Sequence, residues 1–575
     1  MLRLYSTFVI ACALSPSAAW ASYAFYVGGD LTADGEVLIG GTGEEVSSHW
    51  LEIVPRRQHA PDATMTVGVT EEANIPGERI EIPQARETAR YMAMFYTEFR
   101  GFPPPLVNGG LNEHGVAVRD VWSPSRQELV DMTATPQRGL SYSDLAQIVL
   151  ERATSAREGA ELIGELIAEH GFATYGGNSH LIADESEGWI VIQFAGGEGL
   201  WVAERLGPND IRVSFPGYMG EIPDDYDSDT DYMGSPNLIE FAIEQGWYDP
   251  DAGEPFNVHD VYGNQDVEKG DSGYKYVDSM ALEDELRELA PDIRTQDLMA
   301  YVRDPRIAHE EAGYGQVAAL SGDVPADLEL LWVAPTGSVT APFIPYWIGT
   351  QEVPPEYGKH RYLTKDAART FLAPDYQAQE GTEFAGRLFK RLMYHTCERP
   401  ERFLPEVVEA LEAFEARQLA EAPRLEAKAL ALMDAGQGDL ARDVLSRYSV
   451  TQSMAALRLG RALLSSIEAR TKVLYGIREP ESGRINEPPV AGRDTISCVT
   501  SVDRAEPVIE PDDEPSRPLE IDAAPAPAEI EALAAPAQAT VESEASGGWA
   551  GLGIAFALGA SLGGVLVLSR RRARG

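Results

Sequence analysis

Cysteine is scarce in this 575-residue chain, which holds three: Cys12, Cys397 and Cys498. A disulfide framework is therefore excluded as the basis of the fold, and neither a CxxC cluster nor an HExxH helix is present to bind a metal. Basic residues are also few, with 47 Lys+Arg against 91 Asp+Glu, for a formal net charge of −44. No basic stripe can neutralise phosphates, which excludes nucleic acid as a partner, and the acidic surface favours a salty or extracellular setting. No internal repeat is found, which excludes a solenoid. With 44% hydrophobic and 24% charged residues, the chain can bury the core of one large domain or two ordinary ones.

The two termini differ from the rest. Residues 1–21 read as a signal peptide: Arg3 gives the positive start, Leu4 to Leu14 the short apolar core, and Ala19-Trp20-Ala21 the small-x-small cleavage site. Cys12 falls in this leader, so at most one disulfide can form in the mature chain, between Cys397 and Cys498. At the other end, residues 548–569 contain about 20 uncharged residues, the length that spans a bilayer. A basic tail, residues 570–575, follows with Arg570, Arg571, Arg572 and Arg574. The segment reads as a transmembrane anchor or a sorting helix, and either one places the body outside the cytoplasm. Between body and anchor, residues 476–547 hold 16 acidic and 5 basic residues among many prolines and alanines. That composition predicts a disordered stalk.

Residues 22–475 form the working body. Tyr23 to Gly28 reads as a strand, Ala33-Asp34-Gly35 as a turn and Glu36 to Gly40 as a second strand. Further strands are expected at Gly115–Trp122, His180–Ala183 and Trp189–Phe194. A helix capped by Ser143 or Asp144 carries Leu145, Ile148 and Val149 as its apolar stripe. A second, capped by Ser155, carries Ala160, Ile163 and Ile167 and ends at Gly171. From about residue 400 the chain turns helical, at Pro405–Leu432 and Ser453–Leu474. The order of elements predicts an α+β fold.

Cleavage after Ala21 would make Ser22 the first residue of the mature protein. A serine at a free N-terminus combines a nucleophilic hydroxyl with an α-amine of pKa near ~8, able to take the hydroxyl proton directly or through one water. The run from Ser22 through Val27-Gly28 and Ala33-Asp34-Gly35 to Gly40 resembles the opening of the C69 dipeptidases, N-terminal-nucleophile hydrolases. Asn112-Glu113-His114-Gly115-Val116-Ala117, Tyr175-Gly176-Gly177-Asn178-Ser179-His180, Trp201-Val202-Ala203-Glu204-Arg205, Ser235-Pro236-Asn237 and Phe256-Asn257 continue the likeness in order.

The resemblance implies an αββα sandwich and hydrolysis of dipeptides or related small peptides, with no metal and no cofactor. The family usually opens with Cys where this chain has Ser22. It reads Arg-Asn-Glu-Asp where this chain has Gly41-Thr42-Gly43-Glu44, so the family's arginine beside the nucleophile is absent. An acylase cleaving a non-peptide amide, or an inactive surface binding protein of the same fold, are the alternatives.

Four residues are site candidates: Ser22 as nucleophile and α-amine base, Asn178 as an oxyanion donor or turn cap, Asn112 as a site or turn residue, and Glu44 as a partner for the terminal ammonium or a solvated surface carboxylate. His180 reads as a structural histidine, and Arg119-Asp120 as an ion pair. The run Pro342 to Trp347 reads as core packing or as a cleft wall.

Overall fold

The computed structural model describes residues 22–44, 49–97, 101–214, 217–265, 277–322, 324–359, 382–476 and 498. The leader 1–21, the stalk apart from Gly476 and Cys498, and the segment 548–569 lie outside the described residues, as does Phe215-Pro216. Among the described residues no helix is long and apolar enough to cross a membrane.

Two antiparallel sheets dominate. In chain order their strands are β1 (Ala24–Val27), β2 (Val37–Glu44), β3 (His49–Val54), β4 (Tyr91–Tyr96), β5 (Leu106–Asn112), β6 (Ala117–Trp122) and β7 (Asn178–Ala183). There follow β8 (Gly188–Gln193), β9 (Trp201–Leu206), β10 (Ile211–Ser214), β11 (Tyr232–Gly234), β12 (Ala312–Leu320), β13 (Leu330–Ala334) and β14 (Ile344–Trp347). The first sheet runs β10-β1-β2-β12-β13-β14, and the second runs β11-β9-β8-β7-β6-β5-β4-β3. The expected hairpin at the start of the body is β1 paired with β2, Ala24 opposite Gly41 and Val27 opposite Leu38. The second strand continues past Gly40, so Gly41-Thr42-Gly43 are strand residues.

Alternation of side chains along each strand separates two cores. Tyr26, Ile39 and Ala318 of the first sheet face Met92, Leu111, Leu181 and Ile190 of the second in one buried layer. Gly188 has no Cβ because the Tyr26 ring passes 2.7 Å from where one would lie. The other face of the second sheet, with Trp50, Phe95, Val118, Ile182, Trp189 and Val191, is covered by two helices. These are α1 (Tyr142–Arg152) and α2 (Ala156–His170), which bury the expected stripes Leu145-Ile148-Val149 and Ala160-Ile163-Ile167. Ser155 caps α2 and Gly171 ends it with φ 84°, as the sequence predicts. The cap of α1 is Ser141 rather than Ser143 or Asp144. Asp144 is the third helical residue, and its carboxylate returns to the Ser141 backbone N–H as the second half of a capping box.

The outer face of the first sheet packs on α3 (Val277–Arg287), α4 (Thr295–Val302) and three C-terminal helices, α5 (Ala385–Cys397), α6 (Pro400–Asp434) and α7 (Gly438–Tyr475). A Cβ at Gly40 would sit 3.2 Å from Leu298 and Val302, so its absence lets α4 lie close on β2. The result is helices, sheet, sheet, helices: an αββα sandwich. The C-terminal helices are longer than Pro405–Leu432 and Ser453–Leu474, and α6 carries both Pro405 and Pro423 inside it. Phe343 and, on the edge strand β14, Ile344, Tyr346 and Trp347 are core residues. Cys397 and Cys498 form a disulfide.

Candidate active site

The site is built outward from the first residue of the body. Ser22 precedes β1 by two positions, so alternation gives it the inward face shared by Ala24 and Tyr26, and it is only 5% exposed. The β1–β2 ladder reaches it: the Thr42 N–H donates to the Tyr23 carbonyl at 2.9 Å. One step further, Ser22 stands opposite Gly43. Side-chain bulk at Gly43 is excluded, because a Cβ there would lie 2.2 Å from Asn108 Oδ1 and 2.3 Å from Tyr314 Cε1.

Tyr314 comes from β12, in register with Gly43, and its hydroxyl donates to Asn108 Oδ1 at 2.6 Å. Asn108 reaches the inward face through a bulge in β5, where the pairing with β4 shifts and Gly109 adopts φ 114°. A ring cluster flanks them, with His49 stacked 5.1 Å from Tyr96 and tilted 5.4 Å from Tyr314.

Beside this group the space between the sheets is lined by polar atoms that are buried and lack hydrogen-bond partners among the described residues. Ser214, Ala24, Gly41 and Gln316 form one row across the first sheet. The Ser214 hydroxyl and both amide atoms of Gln316 are unpaired. From the facing sheet comes Arg119, wholly buried. Its Nη1 donates to the Val118 carbonyl at 2.6 Å and the Gly110 carbonyl at 3.2 Å, while Nε and Nη2 donate to nothing. Burial pushes the Arg119 guanidinium down to about 10, and the nearby Tyr314 and Asp120 oppose that shift. Buried polar groups are paired as a rule, so unpaired ones on the facing strands of both sheets are exceptions.

The expected Arg119-Asp120 ion pair does not form. Successive strand residues point to opposite faces, so Arg119 lies between the sheets and Asp120 lies under α1, in register with His180. There burial pushes the Asp120 carboxyl up to about 7. His180 is structural, as read: its Nε2 lies 3.0 Å from the Tyr142 carbonyl, Nδ1 lies 3.1 Å from Gln193 Oε1, and burial lowers it to about 4.

Asn112 is committed to its surroundings. Its Nδ2 donates to the Leu150 and Ala153 carbonyls at the end of α1, and its Oδ1 accepts from the His114 and Val116 N–H groups. That is turn chemistry, with no capacity left for a substrate. Asn178 accepts from the Tyr175 hydroxyl at 2.9 Å and donates to the Ser179 carbonyl at 3.0 Å, which anchors the Gly176-Gly177 turn. Glu44 closes β2 opposite Ala312, and its side chain lies outside the described residues. Among the described residues no group of three or more His, Cys, Asp or Glu side chains is gathered to hold a metal ion.

Asn108, Tyr314, Gln316 and Ser214 are additions that the sequence reading missed. One of them left a trace. In Leu106-Val107-Asn108-Gly109-Gly110-Leu111 a polar residue and two glycines interrupt an apolar run, which is the signature of a bulge re-aiming a side chain.

A model of peptidase family C69 matches residues 49–306. A probable dipeptidase of Salmonella dublin is 30% identical over 191 residues, 32% of this chain and 42% of that protein. Probable dipeptidase B of Streptococcus pyogenes is 24% identical over 377 residues, 57% of this chain and 72% of that protein. This chain thus spans less than half the length of the Salmonella relative. Among solved structures, penicillin V acylase from Agrobacterium tumefaciens aligns at 12% identity and a TM-score of 0.30, over 57% of this chain and 86% of that one. A variant of conjugated bile acid hydrolase from Clostridium perfringens aligns at 11% identity and a TM-score of 0.29, over 57% of this chain and 93% of that one.

Proposed function

We propose that this C69 chain hydrolyses dipeptides or small peptides outside the cytoplasm, with Ser22 as an N-terminal nucleophile. The observation that carries the reading is the position of Ser22: buried, inward-facing and opposite a glycine, beside Arg119, Gln316 and Ser214 with their unpaired polar atoms.

Once Ala21 is removed, the neutral α-amine of Ser22 takes the Oγ proton as Oγ attacks the substrate carbonyl. The tetrahedral intermediate carries its negative charge on the former carbonyl oxygen. This reading assigns the unpaired Gln316 amide to that oxyanion. When the C–N bond breaks, the α-ammonium returns its proton to the leaving amine, leaving an ester on Ser22. Water, activated by the same amine, releases the acid and regenerates the hydroxyl.

Arg119 has two unused donors in a desolvated space, the fork geometry that fits a carboxylate. It is assigned to the free carboxylate of the substrate, which supplies a reason for selecting short peptides. It offers a cation from β6, where the family's arginine is missing from Gly41-Thr42.

Secretion and anchoring rest on the sequence of both termini, supported by the Cys397–Cys498 disulfide, since such bonds persist in oxidising compartments. The decisive experiment is N-terminal sequencing of the mature protein, together with dipeptide hydrolysis by wild type, Ser22→Ala and a form with one extra residue before Ser22. A start at Ser22, with activity lost in both altered forms, is the expected result. A different start with full activity refutes the nucleophile. Cleavage of non-peptide amides in place of dipeptides refutes the substrate class alone.

A further inference from the structure

A cavity of about 600 Å³ lies at the opposite end of the first sheet from Ser22. Gly43, beside Ser22, and Glu36, on the cavity, are seven residues apart on one extended segment, about 23 Å at ~3.3 Å per residue. The size suits a small-molecule ligand. One wall is apolar, from Leu328, Leu330 and Trp332 on the sheet side and Leu419 and Leu430 on α6. The rest is rich in acceptors. Asp34, Glu36, Glu329 and Glu426 all line the cavity, and among the described lining residues Arg294 is the one cation. Pro423, inside α6, has no N–H to give the Leu419 carbonyl, and both residues line the same space.

Glu329 is the telling member. It is 6% exposed, and its carboxyl takes part in no hydrogen bond or ion pair among the described residues. It rests over the Gly115 turn of the second sheet, where a Cβ would stand 3.2 Å from Oε1. With no donor among the described residues, this carboxyl opens onto the cavity. Glu426 differs, because it accepts from Trp347 Nε1 at 2.9 Å.

We infer that this cavity is a second ligand site, which binds an organic ammonium ion carrying an aliphatic or aromatic body. The ammonium donates to Glu329 and Glu36, and the apolar body lies along Trp332 and the α6 leucines. Neutral or anionic molecules of the same shape leave the carboxyls unpaired and are rejected. The groups facing Glu329 agree with this. Burial raises it to about 8, and Glu185 and Glu36 push the same way. Glu36 is raised by its own burial, then by Asp34 and Glu426. A bound cation relieves all of these at once, so binding strengthens as pH rises from 7 to 9 while an alkyl amine keeps its charge.

The test is calorimetric titration of the full chain with n-hexylamine, with n-hexanol and hexanoate as shape controls. Saturable binding of the amine alone is expected, tighter at pH 9 than at pH 7. In Glu329→Gln, which replaces a carboxyl already largely neutral at pH 7 and so keeps the fold, affinity at pH 9 falls about tenfold and the pH effect disappears. Glu36→Gln weakens binding in the same direction, and Ser22→Ala leaves it intact, which separates this site from the hydrolytic one. Equal binding of hexanol, unchanged affinity in Glu329→Gln, or no saturable heat overturns the inference.

Discussion

Replacing Arg119 by methionine should make the protein more stable and less active at the same time. The guanidinium is wholly buried between the sheets, with a folded-state pKa of about 10 against an ordinary 12.5. At 1.36 kcal/mol per pH unit, holding it charged costs the fold roughly 3 kcal/mol. A group whose folded pKa is lowered bears this cost at every pH below the folded value, so the whole of it applies at pH 7.

Two hydrogen bonds, to Val118 and Gly110, offset about 2 kcal/mol of that cost. Methionine fills a similar volume without charge, and its net effect is a gain of roughly 1 kcal/mol. If Arg119 binds the substrate carboxylate, the same change lowers kcat/KM on dipeptides about 100-fold, mainly through KM, because the interaction is made with substrate and transition state alike. Urea denaturation and steady-state hydrolysis measure the two effects. A destabilised Met variant, or one with wild-type KM, refutes this account of Arg119.

Three further outcomes follow from the same geometry. Ser22→Cys should retain hydrolysis and Ser22→Ala should lose it, and the wild-type rate should fall as pH drops below about 8, because the α-amine, with a pKa near ~8, becomes protonated and cannot act as base; a pH–rate profile checks this. Gly43→Ala should remove activity, since its Cβ would lie 2.2 Å from Asn108 Oδ1 and 2.3 Å from Tyr314, and kinetic assay of the folded variant tests it. Glu415→Ala should destabilise by about 3–5 kcal/mol in urea, because it strands Arg303, its buried partner, and removes the acceptor of the Phe343 N–H.

The legible parts of the fold were those written in short-range pattern. The 3.6-residue stripes of α1 and α2, the Ser155 cap and the Gly171 stop are local features, and they appear where the pattern places them. The shift of the α1 cap to Ser141 shows the limit: Ser143 and Asp144 are also cap-type residues, and only the capping-box geometry decides among them.

Tyr314 was not legible, since it meets Asn108 from 206 residues away through a strand pairing that no local signal records. Arg119 and Asp120 look like an ion pair in one dimension, yet the period of two along a strand sends them to different layers. Asn112 stands inside a family motif, but its four hydrogen bonds show that the motif there preserves a turn.

The Cys397–Cys498 bond closes a covalent ring that contains α6 and α7. A single protease cut anywhere between those two residues therefore releases nothing: both halves stay joined until the sulfurs are reduced. A cut beyond Cys498 behaves differently, because no disulfide joins the two pieces it makes. On a gel without reductant the first kind of nick is invisible, while the second appears as a loss of mass. The sulfur bridge thus divides cuts that leave the chain joined from cuts that split it.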